Sequence, residues 1–434
     1  ETGIPLPSPD PTTLDVLSVN LQENADRQPI PYITPPSVVR EQLYNNNTII
    51  NQNEQSLSLR VTGTSGLAQN ESRAVFKNIS MDMRQFKNIK MFLHAESAGQ
   101  ELGDNEMSAF LRFGNDFTQN YYEVELPLKV TSPIDANTSE KVWPVENNLD
   151  LPLDLLTKIK ILAMSATDAE LSDQGVYSKF DYEVDQNVSA ENSRIKVSIK
   201  GNPNFGQVRT LMVGVRNNTG KIPLNLPSKT IKGEVWFNEL RLSGMDNQGG
   251  MAAILSLDTN FADLANISAT GRMSTIGFGA LEDGPNERSR EDVQQYNIVT
   301  NLNIGKLLPK KWGINIPFNF STGEEIITPE YDPFNQDIKL NQLLEVTENQ
   351  AEKDNIRERA IDYTKRKSIN FIGVRKDRGP EQKPHVYDPE NLTFNYSFNE
   401  IKKHDYEIRE YIDQQVRTGV DYNYSFQNKP LEPF

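Results

Sequence analysis

Apolar and small polar residues alternate almost without interruption along three stretches of the second half of the chain. The clearest stretch covers residues 392–399, and similar ones cover residues 314–321 and 420–426. Neighbouring side chains of a strand point to opposite faces, so each stretch predicts a strand with one apolar face and one polar face. The polar face is built from Asn, Ser, Thr and Asp rather than from Lys and Glu.

This pattern is typical of transmembrane barrels, in which one face of each strand meets lipid and the other lines a water-filled lumen. The candidate lumen-facing residues are Asn315, Asn319, Asn395, Ser397, Asp421 and Asn423. The candidate lipid-facing residues are Ile316, Phe318, Phe394, Tyr396, Tyr422 and Tyr424. A strand of about ten residues rises roughly 33 Å, and a tilt near 45° leaves about 23 Å, so these bands are long enough to cross a membrane.

The first half of the chain differs from the second in its composition and in its pattern of apolar residues. Residues 1–40 are rich in proline, which disfavours helix and central strand, and they predict an extended connector. Residues 41–245 contain short strand-like runs between Asn-, Ser-, Asp- and Gly-rich turns, which predict a β-sandwich. Residues 233–242 resemble the closing strand of jelly-roll domains. In this strand, the side chains of Val235, Phe237, Leu240 and Leu242 are expected to point into the core.

A flexible joint at residues 246–250 precedes residues 251–434, which predict antiparallel barrel strands with long polar loops. One helix is expected near residues 338–367, where Asp337 is a candidate cap. The predicted fold is therefore all-β: a jelly-roll-like sandwich followed by strands of a transmembrane barrel and one inserted helix. These strands number only about six to eight, fewer than a wide barrel uses, and we expect the chain to be an internal piece of a longer protein.

Composition narrows the possible functions. The net charge of −15, without a long basic patch, argues against a nucleic-acid partner. The absence of cysteine excludes disulfide scaffolds and thiolate chemistry. The chain has no apolar run long enough for a transmembrane helix, and its first residues do not predict a signal peptide.

The sequence offers no catalytic constellation, so we expect no enzyme activity, no cofactor and no metal site. Phosphate-loop, dinucleotide and nucleophile-elbow motifs are missing, and the three histidines have no metal-ligand spacing. His94 lies in an apolar strand and is predicted to be structural. Trp236 is predicted to be buried, although sugar stacking by Trp143, Trp236 or Trp312 is an alternative, as is Ca²⁺ binding by acidic loops.

Two segments carry a family resemblance. Residues 392–409 with 419–426, and residues 233–244, resemble the SprA/Sov family of giant outer-membrane translocon proteins of the type IX secretion system, also linked to gliding motility. This resemblance implies protein export through a wide lumen, with plug and capping proteins, exported cargo and outer-membrane lipid as partners. It implies no catalytic residues.

Two other classes of function remain open from the residues alone. One is a soluble or surface-attached β-sandwich module that binds a glycan or a protein. The other is a hydrolase with an ancillary sandwich domain, which would need a pair of carboxylates about 5–10 Å apart in a cleft. Partitioning between buffer and detergent separates the first of these from a membrane channel.

Overall fold

The computed structural model describes residues 12–40, 42–45, 48–190, 193–220, 226–284 and 287–426. The chain divides into an N-terminal unit, Glu1–Asp246, and a C-terminal unit, Asn247–Phe434. Among the residues that the structure describes, every strand pairing is antiparallel, and strands dominate both units, which confirms the all-β prediction. In the described part of the chain, every helix is too short or too polar to span a bilayer.

The described residues of the N-terminal unit form thirteen strands and four short α-helices. The strands are β1 Thr12–Asn20, β2 Gln42–Asn45, β3 Thr48–Asn51, β4 Gln55–Gly63, β5 Ser72–Met81, β6 Asn88–Ser97, β7 Met107–Gly114, β8 Tyr121–Pro127, β9 Leu149–Pro152, β10 Val176–Phe180, β11 Lys196–Lys200, β12 Val208–Asn217 and β13 Gly233–Ser243. The helices are α1 Leu21–Asn24, α2 Ser139–Val142, α3 Leu153–Met164 and α4 Asp181–Val184.

Two sheets of this unit enclose the main hydrophobic core. One has the order β1-β4-β13-β6-β9 and the other the order β10-β11-β8-β7-β12-β5. Alternate residues of each strand enter the core, as Val235 and Leu93 do from one sheet and Val124 and Phe113 from the other. Two packed antiparallel sheets of this kind form the sandwich that the turn-punctuated sequence predicts.

The end of β13 departs from the predicted alternation. A bulge between Asn238 and Arg241 shifts the register against β6, and Glu239 adopts a positive φ of 46°. An extra residue re-aims the side chains that follow it. Leu242 therefore packs against the core, as expected, whereas Leu240 is 38% exposed and lies outside it.

Residues 12–40 of the segment expected to be a connector are built into the sandwich, and residues 1–11 of that segment lie outside the described residues. Thr12–Asn20 is β1, an edge strand paired with β4. Its position at an edge is compatible with the nearby prolines, since an edge strand leaves one row of its amides outside the ladder. Residues 21–40 then cover the outer face of the five-stranded sheet, where Ile30 and Tyr32 join a second buried cluster with Trp143 and Trp236.

In the C-terminal unit, residues 247–284 and 287–426 form ten strands and two α-helices. The strands are β14 Ala252–Phe261, β15 Ala265–Ser274, β16 Glu291–Asn303, β17 Ile314–Asn315, β18 Pro317–Pro329, β19 Tyr331–Asp332, β20 Asn335–Lys339, β21 Asp362–Lys376, β22 Leu392–His404 and β23 Tyr411–Tyr422. The helices are α5 Leu340–Val346 and α6 Gln350–Ala360. The main sheet has eight strands in the order β14-β15-β16-β18-β21-β22-β23, with β17 also paired to β21.

The single helix predicted near residues 338–367 is wrong in its extent. Two shorter helices replace it, and the side chain of Asn349 caps the second by accepting a hydrogen bond from the amide of Ala351. Residues from Asp362 onward belong to β21 because β18 continues to Pro329 and pairs with them. The polar residues 323–329 are therefore strand, since cross-strand ion pairs extend the sheet beyond its apolar stretch.

Candidate functional site

The register of the eight-stranded sheet brings polar residues from seven strands into one transverse row on one face. Asn319 lies opposite Asn370, which in turn lies opposite Ser397. We call this set the asparagine row, and its members are Asn260, Asn266, Asn301, Asn319, Asn370, Ser397 and Arg417. Directly opposite residues share a face, so the row crosses the whole sheet.

Side-chain hydrogen bonds connect the centre of the asparagine row. Asn319 donates to Oδ1 of Asn301 at 2.7 Å, and Asn370 donates to Oδ1 of Asn319 at 3.1 Å. The hydroxyl of Ser397 donates to Oδ1 of Asn370 at 2.6 Å, and Ser368 extends the network along β21. Many of the amide donors and acceptors at the centre of the row thus bond within the sheet, and this central part presents neutral polar groups.

The opposite face carries an apolar row displaced by one residue. Phe371 of β21 lies between Phe318 of β18 and Tyr396 of β22, with ring-centroid distances of 4.9 and 6.4 Å. The row continues through Leu302 on β16. Aromatic pairs at these separations stabilise a sheet by packing in addition to burial. Polar and aromatic rows therefore alternate along the strands, one on each face.

The structure brings most of the predicted lumen-facing residues onto the face of the asparagine row. Asn319, Asn395 and Ser397 lie there by register and hydrogen bonding, Asn315 pairs with Arg375, and Asp421 pairs with Thr393. Asp421 also accepts a hydrogen bond from Nδ2 of Asn395 at 2.7 Å. Asn423 lies just after β23, outside the strand.

Four of the predicted lipid-facing residues share the apolar face: Phe318, Phe394, Tyr396 and Tyr422. Ile316 lies between β17 and β18, and Tyr424 lies after β23, where its ring contacts Phe426. The segregation into two faces is thus present in the strands. Which face meets lipid stays a prediction.

Asn395 has a structural role that the sequence did not indicate. The register between β21 and β22 shifts between Phe371 and Val374, and Gly373 has a φ of 82° that favours glycine. The side-chain carbonyl of Asn395 accepts a hydrogen bond from the backbone amide of Gly373 at 2.8 Å. This residue therefore holds the bulge of its neighbour strand in addition to lying on the polar face.

Within the described residues of the C-terminal unit, large side chains on the apolar face of the sheet remain exposed. Phe394 is 44% exposed, Val420 is 64% exposed and Leu255 is 73% exposed. Both hydrophobic core clusters of the described residues consist of side chains from the N-terminal unit. Soluble proteins rarely expose a continuous apolar surface of this width. We therefore expect this face to contact another apolar surface, either protein or lipid.

Charged and aromatic residues mark one limit of the apolar face. Tyr296, Glu324, Lys365 and Lys402 form a row across four strands, and the ammonium of Lys365 lies 2.5 Å from the carboxylate of Glu324. Beyond it, the ring of Tyr363 stacks on His404. Only the register shows this limit, because the charged residues are far apart in sequence.

Buried charges join the N-terminal segment to the sandwich. The guanidinium of Arg27 bonds Glu96 at 2.6 Å and Glu234 at 2.8 Å, and Glu234 also accepts from Arg60 at 2.6 Å. Burial alone would raise the pKa of Glu96, but His94 and Arg27 favour the carboxylate and hold that pKa below its ordinary value. Hydrogen bonds satisfy most of these buried groups, which points to a structural role.

The aromatic residues of this cluster follow the structural prediction. Trp236 is fully buried, and the His94 ring lies 4.0 Å from the Trp236 ring and donates a hydrogen bond from Nδ1 to the carbonyl of Val142 at 2.7 Å. The indole of Trp143 donates to the carbonyl of Ile33 at 2.6 Å. Neither buried indole presents a face for sugar stacking, whereas Trp312 is 54% exposed in the C-terminal unit.

Sequence reasoning missed Asn370 and Phe371 as members of the two rows. Residues 368–371 read Ser-Ile-Asn-Phe, an alternation that would have signalled a strand. The charged residues just before them favoured a helix that extends to residue 367, so the strand at residues 368–371 was not predicted. Asn301 and Asn266 alternate with apolar residues in the sequence, but this alternation does not show which strands are neighbours.

Comparison with known proteins supplies the family. Residues 1–344 of the 434 match the model of a family described as motility related/secretion protein. The chain belongs to the SprA/Sov family. The match covers the whole N-terminal unit and ends within α5. No curated protein matches the chain.

Membership of the SprA/Sov family makes this a motility- and secretion-related protein, and the family is not a known enzyme family. Where the structure describes the chain, no three His, Asp or Glu side chains come together as a metal site would require. The candidate functional site of this chain is the eight-stranded sheet with its polar and apolar faces.

Proposed function

We propose that this chain forms part of the wall of an outer-membrane channel that conducts proteins in the type IX secretion system and supports gliding motility. The eight-stranded sheet contributes membrane-crossing strands, and the sandwich is exposed to water. The chain acts by lining a passage and does not itself catalyse a reaction. Exported proteins, plug and capping components and outer-membrane lipid are its partners, and nucleic acid is not.

The observation that carries the proposal is the uncovered apolar face of the sheet. In water, the exposed aromatic and aliphatic side chains around Phe394 and Val420 would be costly at about 25 cal/mol per Å². Lipid removes this cost without a second protein layer, and antiparallel strands satisfy their backbone groups within the sheet. The face around Phe394 thus meets lipid in this proposal.

The dimensions of the apolar face agree with a bilayer. On β23 it runs from Tyr422 to Ile412, about ten residue steps of ~3.4 Å or roughly 34 Å along the strand. A tilt near 45° leaves about 24 Å, close to the apolar band of ~25 Å on outer-membrane barrels. The row containing Glu324 and Lys365 then lies where the band ends on β18 and β21.

The asparagine row supports a water-filled passage on the other face. Its central amides bond to one another, so a passing polypeptide finds fewer unpaired donors and acceptors to hold it. Asn301, Ser368 and Ser397 are the hydrogen-bonded neighbours of Asn319 and Asn370, and such small polar groups favour weak contacts with cargo. The same properties suit a lumen through which different proteins must pass.

The absence of cysteine from these 434 residues makes a direct test available, since an introduced cysteine is the only one in this chain. Asn319→Cys and Phe320→Cys are adjacent on β18 and point to opposite faces. In intact outer membranes, a water-soluble maleimide should label Asn319→Cys and spare Phe320→Cys. A lipid-soluble maleimide should label Phe320→Cys.

Labelling also distinguishes the alternatives. Equal labelling of both cysteines by the water-soluble reagent, with the protein staying in buffer without detergent, would indicate a soluble surface-binding module and reject the channel. If the facing is as proposed, a bulky maleimide on Asn319→Cys should also slow the appearance of secreted proteins in the medium. The same reagent should leave secretion unchanged in Phe320→Cys cells.

A further inference from the structure

A cluster of three lysines interrupts the apolar face near its charged limit. The lysine cluster consists of Lys365 and Lys367 on β21 and Lys402 on β22. Lys365 lies directly opposite Lys402 in the register, and Lys367 lies opposite Glu400. All three therefore point to the side of the sheet that carries Phe371 and Tyr396.

Directly opposite lysines are unfavourable unless an anion lies between them. Side chains opposite each other have Cβ atoms about 4.5–5.5 Å apart, and diagonal neighbours about 7–8 Å, so the three ammonium groups can reach one phosphate. Glu324 neutralises Lys365 at 2.5 Å, whereas Glu400 lies 3.7 Å from Lys402 and already accepts from Gln414. The cluster thus has more positive charge than its neighbours neutralise.

Lys367 is the clearest unmatched charge. Within the described ranges it forms no ion pair or side-chain hydrogen bond, although its strand neighbours on both sides do. Lys367 lies between Lys365 and Ile369 on the same face of β21. It is therefore closer to the apolar band than Lys365 is. A long side chain there can lay its methylenes on apolar surface and extend its ammonium toward phosphate.

We infer that the lysine cluster binds the phosphate of an anionic lipid headgroup at the edge of the membrane. The inference rests on the proposed lipid-facing orientation of this side of the sheet. Charge complementarity and continuity with the apolar face identify the occupant: the headgroup meets Lys367 and Lys402, while the acyl chains continue over Phe371 and Tyr396. A free phosphate has no acyl chains and would not make the contacts with Phe371 and Tyr396.

The test compares lipid binding by the detergent-solubilised protein and its variants. Native mass spectrometry of the protein titrated with phosphatidylglycerol or phosphatidylcholine reports the affinity for each. We expect preferential binding of phosphatidylglycerol, reduced about five-fold by Lys367→Gln and about five-fold by Lys402→Gln. Phosphatidylcholine binding should be unchanged in both variants.

Lys403→Gln is the matched control, because Lys403 is adjacent on β22, similarly exposed and on the opposite face. It should bind phosphatidylglycerol as the unaltered protein does. Equal binding of both lipids by the unaltered protein, or an equal loss in Lys403→Gln, would overturn the inference. So would displacement of phosphatidylglycerol by inorganic phosphate, which would identify a site for a free anion.

The cysteine labelling experiment keeps this inference separable from the proposed function. If Asn319→Cys and Phe320→Cys show the expected facing but the lipid preference is absent, only the headgroup site is rejected. If the facing itself fails, the channel is rejected as well. Labelling of the same two cysteines in the Lys402→Gln background also shows whether that variant still assembles.

Discussion

Asn370 donates a hydrogen bond from Nδ2 to Oδ1 of Asn319, 3.1 Å away on the neighbouring strand. One residue further along β21 and one residue back along β18, the rings of Phe371 and Phe318 face each other at 4.9 Å on the other side of the sheet. A single-residue slip of either strand would place amides opposite rings. The paired rows therefore hold the register as well as defining the two faces.

Replacing Asn370 with Ala should have a modest effect if water reaches this face. The change removes hydrogen bonds to Asn319, Ser368 and Ser397, but water can take their place, and we expect a loss of about 1 kcal/mol. Urea unfolding of the reconstituted protein measures it. Asn266→Ala, at an exposed position of the row, should leave the free energy of unfolding unchanged. A loss above about 3 kcal/mol for Asn370→Ala would show that water does not reach the row.

Introducing Arg on the two faces of β18 should give opposite outcomes. Phe320→Arg puts a charge into lipid at a cost of about 2–4 kcal/mol, so assembly in the outer membrane should fall sharply. Ser321→Arg adds the same side chain on the polar face and should assemble normally. Membrane-fraction recovery and protease resistance measure both, and equal impairment would contradict the assigned facing.

We prefer Ser321 to Asn395 as the polar-face control. The sequence pattern alone makes Arg at Asn395 as acceptable as at Asn423. The bond from the amide of Gly373 to Asn395 changes this expectation, because Asn395→Arg would remove the group that holds the bulge. We therefore expect Asn395→Arg to impair folding through β21, whereas Asn423→Arg should be tolerated, and the same recovery assay compares them.

The N-terminal sandwich should lose stability in acid through Glu96. Because the pKa of Glu96 is lowered in the folded state, its stabilisation is complete above the unfolded-state pKa of about 4.3 and is lost as the pH falls through the lower folded value. Glu96→Gln should flatten this dependence and reduce stability at neutral pH. Fluorescence of Trp143 and Trp236 during urea unfolding, in a Trp312→Phe background, reports the sandwich specifically. Identical pH profiles in both proteins would contradict the role of Glu96.

Arg27 should determine how firmly residues 21–40 are held on the five-stranded sheet. Arg27→Ala leaves Glu96 and Glu234 buried without their shared cation, at a cost of about 3 kcal/mol. Limited proteolysis should then cut this segment faster. Arg60→Ala removes one bond of a more exposed side chain and should cost about 1 kcal/mol or less. Equal protection in both variants would show that packing around Tyr32 and Trp143 suffices.

The sequence by itself determined the all-β class, the sandwich and the two-faced strands. Period-two alternation in segments such as residues 392–399 is a local property, so it is readable without knowing any partner strand. The same holds for the buried Trp236 and for the family resemblance of residues 233–244, which the comparison with the family confirmed.

Only the tertiary structure decided which residues meet across strands. Asn301, Asn319 and Asn370 form one row, and Lys365 faces Lys402, because antiparallel register brings distant residues side by side. The sequence alone likewise does not predict the strand at residues 362–367, because pairing with β18 stabilises it and the local strand propensity does not. Local pattern assigns each side chain to one of two faces; hydrogen-bonded register decides its neighbours there.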